Sequence, residues 1–203
     1  MKLKWLVILV FLMPVLTSAQ EVGVFITRIY SDNAEMENPF GLGVFFSKNI
    51  SRSFTVGISC ERFANERTYD GYTCVGLGFD PVWEPIKSSV STNILKLRLT
   101  GIPLQFEYIS FGVGSAVSMT FISISKRGSQ TGRSVPAQGG QKFGYGFSML
   151  ARVTPLKSLP LKINVEAQRD FLGKSKSFAT DTENPFYGKI VLTNITIGVS
   201  YSF

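Results

Sequence analysis

The chain has 203 residues, 44% of them hydrophobic and only 17% charged, which excludes a disordered chain and fits one domain. Its net charge of +7 is dispersed rather than gathered in a polybasic tract, so nucleic acid is not an expected partner. The absence of histidine excludes Ser-His and Cys-His dyads and any metal site built on imidazole.

Residues 1–19 read as a signal peptide. Lys2 and Lys4 form a positive start, Trp5 to Leu16 is apolar, and Thr17-Ser18-Ala19 offers small residues for cleavage before Gln20. Removing Lys2 and Lys4 lowers the net charge to +5 and leaves residues 20–203 as the folded domain. After residue 20, no apolar run approaches the ~18 residues of a spanning helix, although the chain carries 17 Phe and 7 Tyr. What recurs instead is alternation of apolar with polar or small residues, the period of a β-strand with two different faces.

The alternation predicts eight strands at about 22–30, 39–48, 53–65, 93–107, 110–123, 141–153, 160–172 and 188–203. In the third lies Cys60, fourteen residues before Cys74; in an oxidising compartment the two are candidates for a disulfide, and the residues leave a reduced pair equally open. The fourth changes parity between Leu95, Leu97, Leu99 and Ile102, Leu104, which predicts a bulge at Gly101-Ile102 beside Pro103. In the fifth, Phe111, Val113, Val117, Met119 and Phe121 share one face, with Gly112, Gly114, Ala116, Ser118 and Thr120 on the other. In the last, Val191, Thr193, Ile195, Ile197 and Val199 are expected outward, and Asn194, Thr196, Gly198 and Ser200 inward.

Connections alternate in length. Short links fall at 49–52, 108–109 and 154–159, and long ones at 31–38, 66–92, 124–140 and 173–187. An even strand count with this alternation predicts an all-β, eight-stranded antiparallel up-and-down transmembrane β-barrel, with both termini on the periplasmic side. A closed barrel needs no partner to satisfy its backbone, so a monomer is expected.

Several segments carry a resemblance. Asn38-Pro39-Phe40-Gly41-Leu42-Gly43-Val44-Phe45-Phe46, the strand Leu97 to Tyr108 with Ile102-Pro103-Leu104, and Phe111-Gly112-Val113-Gly114 occur in that order before a terminal Tyr201-Ser202-Phe203. In this the chain resembles the small outer-membrane porin-family barrels of Bacteroidota and their relatives, over nearly all of residues 20–203. The resemblance implies a bacterial outer-membrane location. It also implies that Tyr201 and Phe203 form a C-terminal signal read by the barrel-assembly machinery. The 66–92 segment, with Pro81, Trp83 and Pro85, departs from the pattern.

No catalytic residues, cofactor or metal are expected: the acids are scattered and no carboxylate pair stands out. The charged residues Glu61, Lys96, Arg98, Glu107, Arg152, Lys162 and Glu166 are placed on the inward face. They read either as a salt-bridged plug or as the lining of a selective pore. Asp32, Glu35 and Glu37 make the 31–38 loop acidic, whereas Lys126, Arg127 and Arg133 make the 124–140 loop basic. The basic loop is a candidate site for anionic lipopolysaccharide, which together with outer-membrane lipid is the expected partner. Tyr30, Tyr108, Tyr145, Tyr187 and Tyr201 fit aromatic girdles near strand ends. The function expected is a structural or surface-interaction barrel. The alternatives are a narrow porin-like channel and, more distantly, a soluble lipocalin-like binder with its apolar face turned inward.

Overall fold

A computed structural model describes residues 20–32, 39–73, 82–132, 134–156, 158–173, 176–177 and 189–203. Eight strands form the wall: β1 (Glu21–Ser31), β2 (Phe40–Asn49), β3 (Phe54–Thr73), β4 (Val82–Gln105), β5 (Ile109–Gly128), β6 (Ser134–Val153), β7 (Leu161–Leu172) and β8 (Ile190–Ser202). A two-residue strand, Lys176–Ser177, pairs with Gly140 and Gln141 and is not part of the wall. Each wall strand runs antiparallel to its sequence neighbours, and β8 pairs with β1 to close the ring. Residues 1–19, which hold the expected signal peptide, lie outside the described residues, as do Glu35, Glu37, Cys74, Pro81, Arg133 and Tyr187.

The register sets the shape of the cylinder. Glu21 pairs with Ser47, Ser47 with Gly57, Gly57 with Arg98, Arg98 with Ala116 and Ala116 with Gly146. Gly146 pairs with Asp170, Asp170 with Leu192, and Leu192 with Ser31. One circuit therefore returns to β1 ten residues above its start. A stagger of this kind tilts the strands by roughly 35–45° from the barrel axis and fixes the interior at side-chain width.

Alternation along each strand then separates two environments. In β8 the buried positions are Ile190, Leu192, Asn194, Gly198 and Ser200, whereas Ile195, Ile197, Val199 and Tyr201 are exposed. The same split puts Val24, Ile26, Leu42, Leu97, Leu99, Val113, Val117, Phe147, Met149 and Val165 on the outer surface. An apolar outside rules out the lipocalin-like arrangement, which needs its apolar face turned inward. The register of β4 against β5 shifts between Gly101 and Leu104, where the parity change predicted a bulge.

Three expectations are corrected. The segments 66–92 and 124–140 are not simply loops: β3 and β4 stay paired to Thr73 and Val82, and β5 and β6 to Arg127 and Ser134. In these extensions the inward side of β4 and β5 stays buried at Glu84, Ile86, Ser88, Val90, Ile122 and Ile124, but polar β-formers such as Ser88, Ser89, Ser123 and Ser125 fall on both parities and interrupt the apolar alternation that marks the wall. Glu107 is not in the lumen: β4 ends at Gln105, and Glu107 is exposed in the turn to β5. The disulfide is not formed. Cys60 is a free, exposed cysteine, and β3 runs unbroken from it to Thr73. That stretch spans about 43 Å at roughly 3.3 Å per residue, far beyond the ~7 Å that a disulfide allows between Cα atoms.

Candidate functional site

The interior is filled in tiers, starting from the mouth where the chain's short turns lie. In the first tier Glu21 is the hub. Its Oε1 accepts from the Ser200 hydroxyl at 2.6 Å and faces Arg152 at 3.3 Å, while Oε2 meets Lys162 at 3.2 Å. Asn164 ties the hub together, accepting from Arg152 Nε at 2.9 Å and donating to Ser200 Oγ at 2.9 Å.

The second tier pairs Arg98 with Glu166. In the third, Lys96 is buried and binds Glu61 at 2.9 Å, Asp170 at 3.1 Å and the Gln168 side-chain oxygen at 3.2 Å. Asp170 also accepts from Gln168 at 2.6 Å and from Asn194 at 2.8 Å. Four carboxylates thus meet four cations across the barrel, drawn from β1, β3, β4, β6 and β7. Charges at this depth are costly to bury unless paired and hydrogen-bonded; here each is paired, and among the eight only Glu61 leaves a buried carboxylate oxygen, Oε2, without a hydrogen bond.

The fourth tier is apolar. Ile29, Phe63, Val90, Ile94, Ile122, Ile124, Leu172, Ile190 and Leu192 form one buried cluster inside the end of the barrel away from the short turns. Lys142 enters beside it and donates to the Gly173 carbonyl at 3.0 Å. Aromatic rings fill the lumen lower down because glycines stand opposite them. Phe25 pairs with Gly43 on one side and Gly198 on the other, and Phe45 pairs with Gly23. A methyl group at Gly43 would strike the Phe25 ring and come within 2.8 Å of the Cys60 carbonyl oxygen.

Between the tiers a cavity of about 50 Å³ remains, lined in part by Phe25, Phe45, Arg98, Arg152 and Glu166. Below it a wider vestibule of about 520 Å³ opens at the mouth, lined by Arg52, Gln105, Arg152 and Lys162 among others.

The structure brings together Glu61, Lys96, Arg98, Arg152, Lys162 and Glu166. It adds two acids that the sequence reading missed, Glu21 and Asp170. Asp170 was detectable, since it continues the inward parity of Lys162, Asn164, Glu166 and Gln168. Glu21 precedes the expected first strand by one residue. The proposed basic loop is taken apart: Lys126 and Arg127 belong to β5, and neighbours in a strand point to opposite faces. Lys126 lies 5.7 Å from the Tyr69 ring centroid, and Arg127 donates to the Gly132 carbonyl at 3.1 Å. Tyr201 and Phe203 make an edge contact at 5.5 Å, and the Phe203 amide donates to the Gln20 carbonyl at 2.9 Å.

No protein-family model and no curated protein matches the chain. Solved structures do. Neisserial surface protein A superposes with a TM-score of 0.60 at 9% identity, covering 90% of this chain and 96% of that one. A major outer membrane protein from Thermus thermophilus gives 0.61 at 13% identity, over 90% and 99%. Ail, the attachment invasion locus protein of Yersinia pestis, gives 0.51 at 12% identity, over 90% and 95%. At these identities the likeness concerns the fold alone, and that fold is the eight-stranded antiparallel barrel of bacterial outer-membrane proteins.

Proposed function

We propose that this chain is a bacterial outer-membrane barrel with a closed lumen, acting through its surfaces as a structural or interaction protein. The carrying observation is the stack of ion pairs capped by a buried apolar cluster. The membrane placement is supported by the outward apolar side chains, flanked towards the short turns by Phe54, Phe106, Phe111, Tyr201 and Phe203 and towards the long hairpins by Tyr30, Phe40, Phe143 and Tyr145. Membership of the porin-family barrels of Bacteroidota, a cleaved signal peptide and the assembly-signal role of Tyr201 and Phe203 belong to the same reading. So do the monomeric state and a role without catalysis.

A porin-like channel needs a continuous aqueous path, and the buried apolar cluster of the fourth tier opposes one. Planar-bilayer recording of the purified protein tests the proposal. No stepwise conductance is expected at either polarity; reproducible unitary steps would replace the closed barrel with the narrow-channel reading.

A further inference from the structure

The outward face carries a pattern of its own. From the short turns upward, the outward side chains of β1 are Val22, Val24 and Ile26, then Arg28. On β3 an apolar series leads to Arg62, and on β7 Leu161, Ile163, Val165 and Ala167 lead to Arg169. Spread over eight strands, the ten-residue stagger offsets level positions by about 1.25 residues per strand. With that offset the three arginines fall within about one residue of a common level. They occupy alternate strands, with β8 and β2 between them, so adjacent ones are about 10 Å apart at ~4.8 Å per strand.

Aromatic rings steady two of these side chains. The Arg28 guanidinium lies 5.5 Å from the Tyr30 ring centroid and 5.0 Å from that of Phe40, and Arg169 lies 5.7 Å from Phe171. Among the described residues no carboxylate pairs with any of the three. The outward acids next above them are engaged elsewhere: Asp32 accepts from the Val191 amide, and Glu66 pairs with Lys87. Three guanidinium groups at the upper border of an apolar band thus have no counter-charge among the described residues. In a membrane such groups reach for the headgroup layer, where phosphate is the bidentate partner that arginine fits.

We propose that Arg28, Arg62 and Arg169 form a row that binds the phosphate groups of outer-leaflet lipopolysaccharide, with its acyl chains lying over β8 and β2. Ile195 and Leu42 face outward in those two gaps, giving the chains an apolar bed that a free phosphate would not use. The inference rests on the membrane placement proposed above and moves the anion site from the β5–β6 hairpin to the barrel wall.

The test titrates detergent-solubilised protein with bisphosphorylated lipopolysaccharide and with the same lipid after enzymatic phosphate removal, reading retention by native mass spectrometry. The phosphorylated form is expected to bind at least about tenfold more tightly, the worth of one charge-assisted contact. R28Q/R169Q should abolish that preference, R28K/R169K should keep part of it, and K126Q/R127Q should leave it intact. Equal retention of the two lipids overturns the proposal, as does a preference that survives R28Q/R169Q or is lost only in K126Q/R127Q. If the double variant does not fold, a preference unchanged in R28Q, R62Q and R169Q singly overturns it. A protein that conducts nothing and ignores phosphate loses this site but remains a closed barrel.

Discussion

Phe25 shows how finely the interior is fitted at the residue scale. Its ring occupies the space left by the absent side chain of Gly43, its partner on β2, while on β8 Gly198 makes room for the Phe25 Cβ. Gly43→Val should therefore destabilise the barrel by about 1–3 kcal/mol through overpacking. Urea midpoints in lipid vesicles measure this, and Phe25→Ala in the same chain should recover part of the loss. Full destabilisation in the double variant would mean that the Cys60 carbonyl, not the ring, sets the limit. The lumen charges were legible at this scale because inward parity and charge coincide in β4 and β7. Glu107 was misplaced because parity cannot tell a strand's last residue from the first of its turn. The partners themselves were not legible: Lys96 and Asp170 are joined by the curvature of the ring, and no local spacing encodes that.

At the scale of elements, half of the wall continues past the rim. β3 through β6 rise together as a four-stranded extension, while β1, β2, β7 and β8 stop lower. The turn between β5 and β6 is held by a buried carboxylate. Glu84 accepts from the amides of Gln130 and Thr131 at 2.8 and 2.9 Å and from the Thr131 hydroxyl at 2.5 Å. Its side chain also fills the space over Gly128, where a methyl group would clash with it. Glu84→Ala should loosen this hairpin by about 1–3 kcal/mol locally, leaving the barrel's unfolding midpoint unchanged. Faster amide exchange confined to Gln130, Thr131 and their neighbours is the expected signature; loss of global stability would show that the extension is part of the barrel's cooperative unit. The strands of the wall were readable from alternation, since one face meets apolar surroundings and the other a polar lumen. Their extensions were not, since the inward series Glu84, Ile86, Ser88 and Val90 mixes polar with apolar residues and removes the contrast on which that reading depends.

For the whole molecule, the decisive property is which side is greasy. Ile197 is 58% exposed on the outer face. Ile197→Arg should cost about 2–4 kcal/mol if it lies near the bilayer midplane, and Tyr201→Arg, at the lower edge, about 0–1 kcal/mol. Equal costs would place β8 outside a lipid environment. Cysteine scanning supplies the geometric counterpart: lipid-phase reagents should reach positions 195 and 197 but not 196 and 198. Native Cys60, free and exposed on β3, should react as 197 does in a chain carrying Cys74→Ser.

The pairing of β1 with β8 also has a consequence in time. Every other pairing in the wall joins strands adjacent in sequence, but Glu21 must meet Ser202, from the far end of the chain. Seven strands can therefore zip up as hairpins while the sheet still presents two raw edges, each a template for misassociation. Closure is a single late event with a large entropic cost, and it waits on the last strand. Refolding into vesicles should accordingly show early β-structure and a slow final step, and variants that weaken the β1–β8 seam should slow that step alone.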